Sequence, residues 1–368
     1  NFLLLLGFLS GCDYLDIVPD NLPTLEMAFN NKSSAERFLF TCYSFVPEHG
    51  KIGTDPGMDV GDEVWYYSDN SADYSNKTTF WIAKGMQNSN EPLVDYWNGT
   101  QWGKAMFVGI RDCNVFIENI EKVPDLSAYD KETWKAEAKV LKAFYHFWMM
   151  RMYGPIPIIK ENIPVSAGED EVRVVRDKID DIVTYIVSLI DESVEYLPLN
   201  IQNEAAEMGR ITRPAAKAIK AKILAFAASP FFNGNLDYAN FKNAEGEPFF
   251  NQVYDNEKWT KAADACLEAI QCAEEAGHGL YEFVNMSSTQ LSDETILSLS
   301  NRCKVTERWN KELVWGCGQS GIRDLQVLCQ PWLESNYSSD DRYHNARNGT
   351  FAPTLAVAET FYTKNGVP

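Results

Sequence analysis

The chain has 368 residues, of which 45% are hydrophobic, and this is enough to build a sizeable core. A chain of this length averages two or three domains, although one large helical unit is equally compatible with it. Its 52 acidic and 33 basic residues give a net charge of −19, which argues against a nucleic-acid partner because a phosphate backbone is bound by clustered lysine and arginine.

The first eleven residues have the character of a secretory signal peptide. Phe2 to Leu9 form an apolar run that is too short to span a bilayer as a helix. The run ends in LSGC, residues 9–12, which is the pattern of a lipobox: small residues admit a peptidase, and the thiol then receives a diacylglycerol. We therefore expect residues 1–11 to be a partial lipoprotein signal and Cys12 to carry a lipid anchor. The alternative is a buried strand with an ordinary cysteine.

Helical periodicity dominates residues 96–277. Four sets of residues at alternating steps of three and four each predict an amphipathic helix, and each stripe needs a neighbouring helix to bury it. We expect these sets, together with Trp97, to lie in the core of a mostly α-helical fold. The sets are Trp102, Met106, Ile110, Cys113, Ile117 and Ile120; Trp134, Ala138, Leu141, Tyr145, Trp148 and Met152; Ile179, Val183, Ile186, Ile190 and Leu197; and Trp259, Ala263, Cys266, Ile270 and Ala273.

Capping residues predict where these helices begin and end. Asp130 is a good N-cap, the Gly-Pro-Ile-Pro run at 154–157 is a strong stop, and Thr212 precedes a proline that a first helical turn tolerates. Alanines along one side of the helix after Thr212, Ala221 among them, would let a neighbouring helix approach closely. Helix starts near residues 96, 130, 176, 212 and 256 favour tetratricopeptide-style hairpins with long helices rather than a strict repeat array.

The flanking segments 50–95 and 278–350 show little periodicity and are rich in glycine, asparagine, aspartate, serine and aromatic residues. Long irregular segments on a helical scaffold are usually binding loops or disordered. Their aromatic content argues against disorder, so we expect them to form loops that bind a ligand.

Four stretches in the chain share their order and composition with motifs of one known family. The first is the lipobox with CDYLDIVP, and the second is EAKVLKAFYHFWMMRMYGPIPII, an alanine- and aromatic-rich helix that closes on Tyr-Gly-x-x-Pro. The third is the small-residue helix RITRPAAKAIKAKILAFAASPFF, and the last is APTLAVAETFYTKNGVP, a Pro-Thr segment that leads into Phe and then Asn-Gly. By these motifs the chain resembles the SusD/RagB family of outer-membrane nutrient-uptake lipoproteins.

The resemblance implies a helical scaffold of four tetratricopeptide-like units with a looped ligand-binding region. It also implies that the protein is the surface lid of a SusC-like TonB-dependent transporter, to which it delivers oligosaccharides. Family members continue beyond the Asn-Gly motif, so we expect the sequence to be truncated at both ends. The predicted layout is a partial signal peptide (1–11), a lipidated tether (12–32), the scaffold (33–277, with a loop insertion at 50–95) and the start of the C-terminal loop-rich region (278–368).

A site for such a ligand should combine flat aromatic rings with polar side chains, because sugars stack their C–H faces on rings and need partners for their hydroxyls. Two clusters in the irregular segments have this composition. The predicted substrate-binding residues are Trp65, Tyr67 and Trp81 in the first cluster and Trp309, Arg323 and Trp332 in the second. Each of these tryptophans is equally compatible with a buried position, and Arg323 with a surface ion pair. Trp315 follows Leu313-Val314 in a strand-like run, which favours the core.

Two other functions stay open. Paired carboxylates such as Asp62-Glu63 or Asp340-Asp341 would suit a surface glycoside hydrolase, although adjacent residues rarely place their carboxyls about 5–9 Å apart across a sugar. A tetratricopeptide-like surface would also suit a peptide ligand. Neither HExxH nor GxSxG occurs, so we predict no enzyme and no cofactor. A structural calcium stays open, although the acidic run 69–74 lacks the glycine of a calcium loop.

Overall fold

Helices predominate over strands in the described residues, which confirms the predicted mostly α-helical class. The structure is a computed structural model, and it describes residues 25–48, 55–66, 78–317, 329, 351–363 and 365–367. The helices are α1 (Leu25–Ala28), α2 (Lys32–Tyr43), α3 (Pro56–Asp59), α4 (Thr78–Ala83), α5 (Met106–Asn119), α6 (Ala128–Tyr153), α7 (Glu169–Val172), α8 (Ile179–Asp191), α9 (Glu204–Glu207), α10 (Arg213–Ala228), α11 (Glu257–Glu275), α12 (Asp293–Thr306) and α13 (Leu355–Ala358), and the strands are β1 (Val64–Tyr66) and β2 (Phe351–Pro353). None of the described helices is both long and apolar enough to cross a bilayer.

The long helix α6 is the centre of the hydrophobic core. It packs against α2, α5, α8 and α10, and its residues Leu141, Tyr145 and Trp148 are almost completely buried. A helix that is apolar on most of its sides must lie inside a protein, which explains its aromatic-rich sequence. It ends at Gly154 with φ 71°, as predicted, but its N-cap is Ser127, whose hydroxyl accepts a hydrogen bond from the backbone N–H of the predicted cap, Asp130.

The predicted helix start near residue 96 is wrong, because α5 begins at Met106. The segment before it is a turn. The Asp95 carboxylate accepts hydrogen bonds from the backbone N–H groups of Trp97 and Asn98, as an N-cap would. The backbone N–H of Asp95 donates to the Thr100 carbonyl at 3.1 Å, however, so the chain folds back on itself instead of continuing as a helix. Trp102 therefore lies outside the helix and is 63% exposed, whereas the periodicity predicted it in the core. Trp97 packs against the core, as predicted.

The helices α10 and α11 form an antiparallel hairpin with close packing of small residues. Ala221 lies against Ala265 and Ala269, and Lys217 faces Glu268, which confirms that the alanines of α10 admit a close neighbour. The predicted inner face of α11 is wrong, however. The alanine face is buried, and Trp259, Cys266 and Ile270 are exposed, because bulky side chains would hold the two helices apart.

The segment 278–350 was predicted to be irregular, but its described part contains the 14-residue helix α12. Ser292 caps this helix through a hydrogen bond from the backbone N–H of Thr295, and none of its residues is buried. Its sequence has caps but lacks a clear apolar stripe, so periodicity did not predict it. The division of the chain at residues 32 and 277 remains a prediction.

Candidate functional site

The first predicted aromatic loop folds into a small unit made of α3, β1, α4 and β2, called here the ribbon unit. β1 pairs antiparallel with β2, with Trp65 opposite Ala352 and Tyr66 opposite Phe351. Tyr66, Phe80 and Phe351 form its own buried cluster, separate from the main core. The pairing brings the Pro-Thr motif at 353–354 to the polar and aromatic segment near residue 65.

Polar contacts fix the ribbon unit internally. The Thr79 hydroxyl donates to the Asp59 carboxylate at 2.7 Å, and both side chains are buried. The backbone N–H of Thr354 donates to the carbonyl of Glu63 at 3.1 Å, and the Thr354 hydroxyl donates to the carbonyl of Asp62. These contacts give the unit a defined shape, although its strands are only three residues long.

Two of the predicted site residues, Trp65 and Trp81, lie in the ribbon unit. Trp65 is half-buried, and its ring meets Phe80 edge to face at 5.1 Å between centroids. Trp81 follows Phe80 on α4 and is 38% exposed. The unit therefore holds Trp65 partly in its core and presents Trp81 to solvent, while Tyr67 lies outside the described residues.

Charged and aromatic groups connect the ribbon unit to the end of α6. Asp55 caps α3 by accepting a hydrogen bond from the N–H of Gly57 at 2.9 Å. The Arg151 guanidinium lies 5.1 Å from the centre of the Trp148 ring, within a cage of aromatic rings. Burial lowers the pKa of Arg151, and the charge of Asp55 opposes that effect, so the carboxylate and the guanidinium stabilise each other across the junction.

The third described site residue, Trp309, lines a different feature, a cleft of about 250 Å³. This Trp309 cleft lies between the segment 200–212, the end of α11 and residues 309–316. Its polar lining includes Asn200, His278 and Lys311, and its apolar lining includes Met208. Trp309 has φ 58°, a left-handed backbone that is uncommon outside glycine and often marks a functional position.

Trp315 forms part of the wall of this cleft and packs against the core, as predicted. Its indole N–H donates to the Gly209 carbonyl at 2.9 Å, and its ring meets Phe144 edge to face at 5.6 Å. Gly209 has φ 99°, and a Cβ there would lie 3.4 Å from the Gly316 carbonyl oxygen. Glycine at this position therefore permits the left-handed backbone of the segment, whereas the distance to Gly316 is that of an ordinary contact.

A buried ion pair holds the segment that carries the cleft. Arg210 donates two hydrogen bonds to the Glu137 carboxylate, at 2.7 and 3.1 Å, and the Tyr43 hydroxyl donates to the same carboxylate at 2.6 Å. Burial alone would lower the pKa of Arg210, but the Glu137 carboxylate outweighs this effect and raises the pKa above its ordinary value. The Tyr43 oxygen also accepts the backbone N–H of Ile211, which ties α2, α6 and the cleft together.

Sequence reasoning missed the residues that surround Trp309 in space. Asn200 and His278 belong to segments far from it in sequence, and no local pattern signals their meeting. Three predicted residues, Arg323, Trp332 and the lipidation residue Cys12, lie outside the described residues, as does the acidic run 69–74. Within the described part of the chain, no group of three or more histidine, cysteine, aspartate or glutamate side chains is arranged to hold a metal ion.

Comparison with known proteins identifies relatives of both the sequence and the fold. A SusD-like protein of Bacteroides ovatus is 31% identical over 99 residues, which are 27% of this chain and 16% of that protein. The solved structure of BT4246 is 28% identical, with a TM-score of 0.73 over 92% of this chain and 58% of that one. A SusD-like protein of Bacteroides fragilis, BF3747, is 16% identical with a TM-score of 0.64, over 93% of this chain and 55% of that one, and shows the same fold.

The chain thus spans less than two thirds of the length of these relatives. A family model described as "Starch-binding associating with outer membrane" matches residues 13–224, which is more than half of the chain. Within that match lie the ribbon unit's first strand, the central helix α6 and most of the alanine-rich helix α10. On this match, the protein belongs to the SusD-like family.

Proposed function

We propose that this protein is a cell-surface lipoprotein that captures oligosaccharides without hydrolysing them and delivers them to a SusC-like TonB-dependent transporter. The observation that carries the proposal is the ribbon unit, which holds both the solvent-exposed Trp81 and the half-buried Trp65 on one frame. A rigid aromatic face can stack on the C–H face of a sugar at little cost in conformational entropy. The family description as starch-binding supports a glycan as the ligand.

A binding titration tests the capture role. We would titrate the protein, beginning at Asp13, with maltooligosaccharides and with plant, host and microbial glycans, and follow tryptophan fluorescence. Trp81→Ala should weaken binding by about 1–3 kcal/mol if its ring stacks on the sugar. Trp259→Ala is a matched control, because Trp259 is 42% exposed on α11 and belongs to neither predicted cluster. Equal affinity of the Trp81→Ala variant and the wild type would remove Trp81 from the site, and unchanged affinity of Trp65→Ala as well would remove the ribbon unit.

Trp65→Ala needs a separate test of folding. Because Trp65 packs on Phe80, its removal should both weaken binding and lower the stability of the ribbon unit. Trp65→Phe keeps a ring against Phe80 and should restore most of the stability. Recovery of stability without recovery of affinity would indicate that the indole itself contacts the sugar.

Chromatography of the same mixtures separates capture from catalysis. A binding protein leaves each oligosaccharide at its original length, whereas a glycoside hydrolase, the alternative suggested by the paired carboxylates, produces shortened products. Binding of a peptide instead of any glycan would favour the third alternative, a helical scaffold for protein ligands.

The anchor and the transporter are tested in membranes. We expect Cys12→Ala to release the protein from the membrane fraction, because the thiol that would carry the lipid is gone. Retention of the variant in that fraction would contradict the lipid anchor. In mild detergent the wild-type protein should co-purify with a TonB-dependent transporter. Purification of the protein without any transporter would argue against such a complex.

A further inference from the structure

The segment 94–105, called here the Trp102 loop, is built around one buried carboxylate. Asp95 is 3% exposed, and its oxygens accept hydrogen bonds from the N–H groups of Trp97 and Asn98, from the Asn98 side-chain amide and from the Thr100 hydroxyl, all at 2.9–3.1 Å. Burial alone would raise the pKa of Asp95, but these hydrogen bonds outweigh it and lower the pKa below its ordinary value. The carboxylate is therefore charged at neutral pH and organises the whole turn.

Two non-glycine residues of the loop have a backbone conformation that L-amino acids rarely adopt. Gln101 and Trp102 have φ 50° and 72°, in the left-handed region that favours glycine. A Cβ at Gly99 would lie 2.7 Å from that of Ala105, and a Cβ at Gly103 would overlap the backbone of Asp95. Two glycines and a saturated carboxylate thus fix the strained positions, and such strain persists only where the surroundings over-determine it.

This fixed loop presents a large ring to solvent. Trp102 is 63% exposed, while Trp97 in the same loop packs edge to face against Phe107 and Tyr153. The other exposed side chains of the loop are polar: Asn98, Thr100 and Gln101. A rigid indole among amide and hydroxyl groups differs from a protein-docking patch, whose anchors are surrounded by apolar, desolvated contacts. It also differs from a lipid-binding surface, which gathers several apolar side chains.

We propose that the Trp102 loop is a carbohydrate-stacking platform in addition to the ribbon unit. One face of the Trp102 indole takes the C–H face of a pyranose ring, and the Gln101 amide hydrogen-bonds a hydroxyl of the same sugar. Sugars require both kinds of contact, since their hydroxyls cannot be buried without partners. This inference rests on the proposed function, because a platform of this kind serves a protein that captures glycans.

The test uses the same chain and maltoheptaose, or the glycan of the panel that binds the wild type most tightly. Trp102→Ala should weaken binding about tenfold, and Trp102→Phe, which keeps a ring, should lose less. Trp259→Ala, which removes an exposed tryptophan on α11, should bind as the wild type does. Unchanged circular dichroism and melting temperature of Trp102→Ala would show that the fold is kept, as expected for an exposed side chain.

The outcomes separate this inference from the proposed function. If the wild type binds glycan and Trp102→Ala binds equally well, the platform is overturned and the capture role stands. If Trp102→Ala and Trp259→Ala weaken binding equally, the effect is not specific to the loop, and the platform is overturned as well. If the wild type binds no glycan of the panel, the proposed function fails and the platform fails with it.

Discussion

Replacing Glu137 by glutamine tests the buried ion pair that holds the segment next to the Trp309 cleft. The Arg210 and Glu137 side chains are 8% and 2% exposed, so removal of the carboxylate leaves a guanidinium charge with little access to water. Glutamine keeps the shape and one acceptor but not the charge. Loss of one partner of a buried pair costs about 3–5 kcal/mol. We expect about 3 kcal/mol, because Glu207 at 3.1 Å and the more distant Glu36 still partly balance the charge.

Urea unfolding followed by circular dichroism measures this loss of stability. The control is Glu192→Gln. It breaks a 2.8 Å ion pair between Glu192 and Lys139 of α6, the helix that also carries Glu137, and this pair is much more exposed. It should cost less than about 1 kcal/mol. The double variant Glu137→Gln/Arg210→Met should recover part of the loss, since it leaves no buried charge. Equal destabilisation by Glu137→Gln and Glu192→Gln would refute the reasoning.

Three further predictions concern pH and packing. Burial lowers the pKa of His146 from 6.5 to about 4. As pH drops through this range, the unfolded chain binds a proton at this residue before the folded chain does. The free energy of unfolding should therefore fall by about 3 kcal/mol between about pH 6.5 and about pH 4. The urea midpoint of His146→Gln should decline less over that range, and an equal decline would contradict the prediction. Ala221→Leu should overpack the α10–α11 contact and cost about 1–3 kcal/mol, whereas the exposed Ala218→Leu should leave the melting temperature unchanged. Gly103→Ala should lower the free energy of unfolding by about 2–3 kcal/mol, because the new Cβ would force the loop open. The control Gly279→Ala has open space around it and should have little effect. Similar melting temperatures of the two variants would argue against the close approach at Gly103.

The sequence predicted best those features that depend on neighbouring residues. The stop at Gly154 and the cap at Thr212 were correct because a cap is formed by residues within one turn of the helix end. The inner face of α11 was wrong because the choice between its alanine face and the face of Trp259 depends on how closely α10 approaches. Local pattern contains no information on that distance.

The candidate site was predicted in part for the same reason. Trp65 and Trp81 lie in one small unit, as their closeness in sequence suggests, and their role in binding stays a prediction. The surroundings of Trp309 come from three separate segments, and only the fold brings them together. Trp102 was assigned to the core by extending a helical period one turn too far, across the turn that Asp95 organises.

The pairing of β1 with β2 also sets an order of events during folding. Residues 64–66 find their partners at 351–353, and the hydroxyl of Thr354 reaches a carbonyl 292 positions earlier in the chain. Closing so long a loop is slow and costs chain entropy, whereas the α10–α11 hairpin joins neighbouring segments. The helical scaffold can therefore form while the chain emerges, and the surface that presents Trp81 is completed only after residue 354 has been synthesised. An unfinished chain would accordingly expose a folded scaffold without a finished ribbon unit.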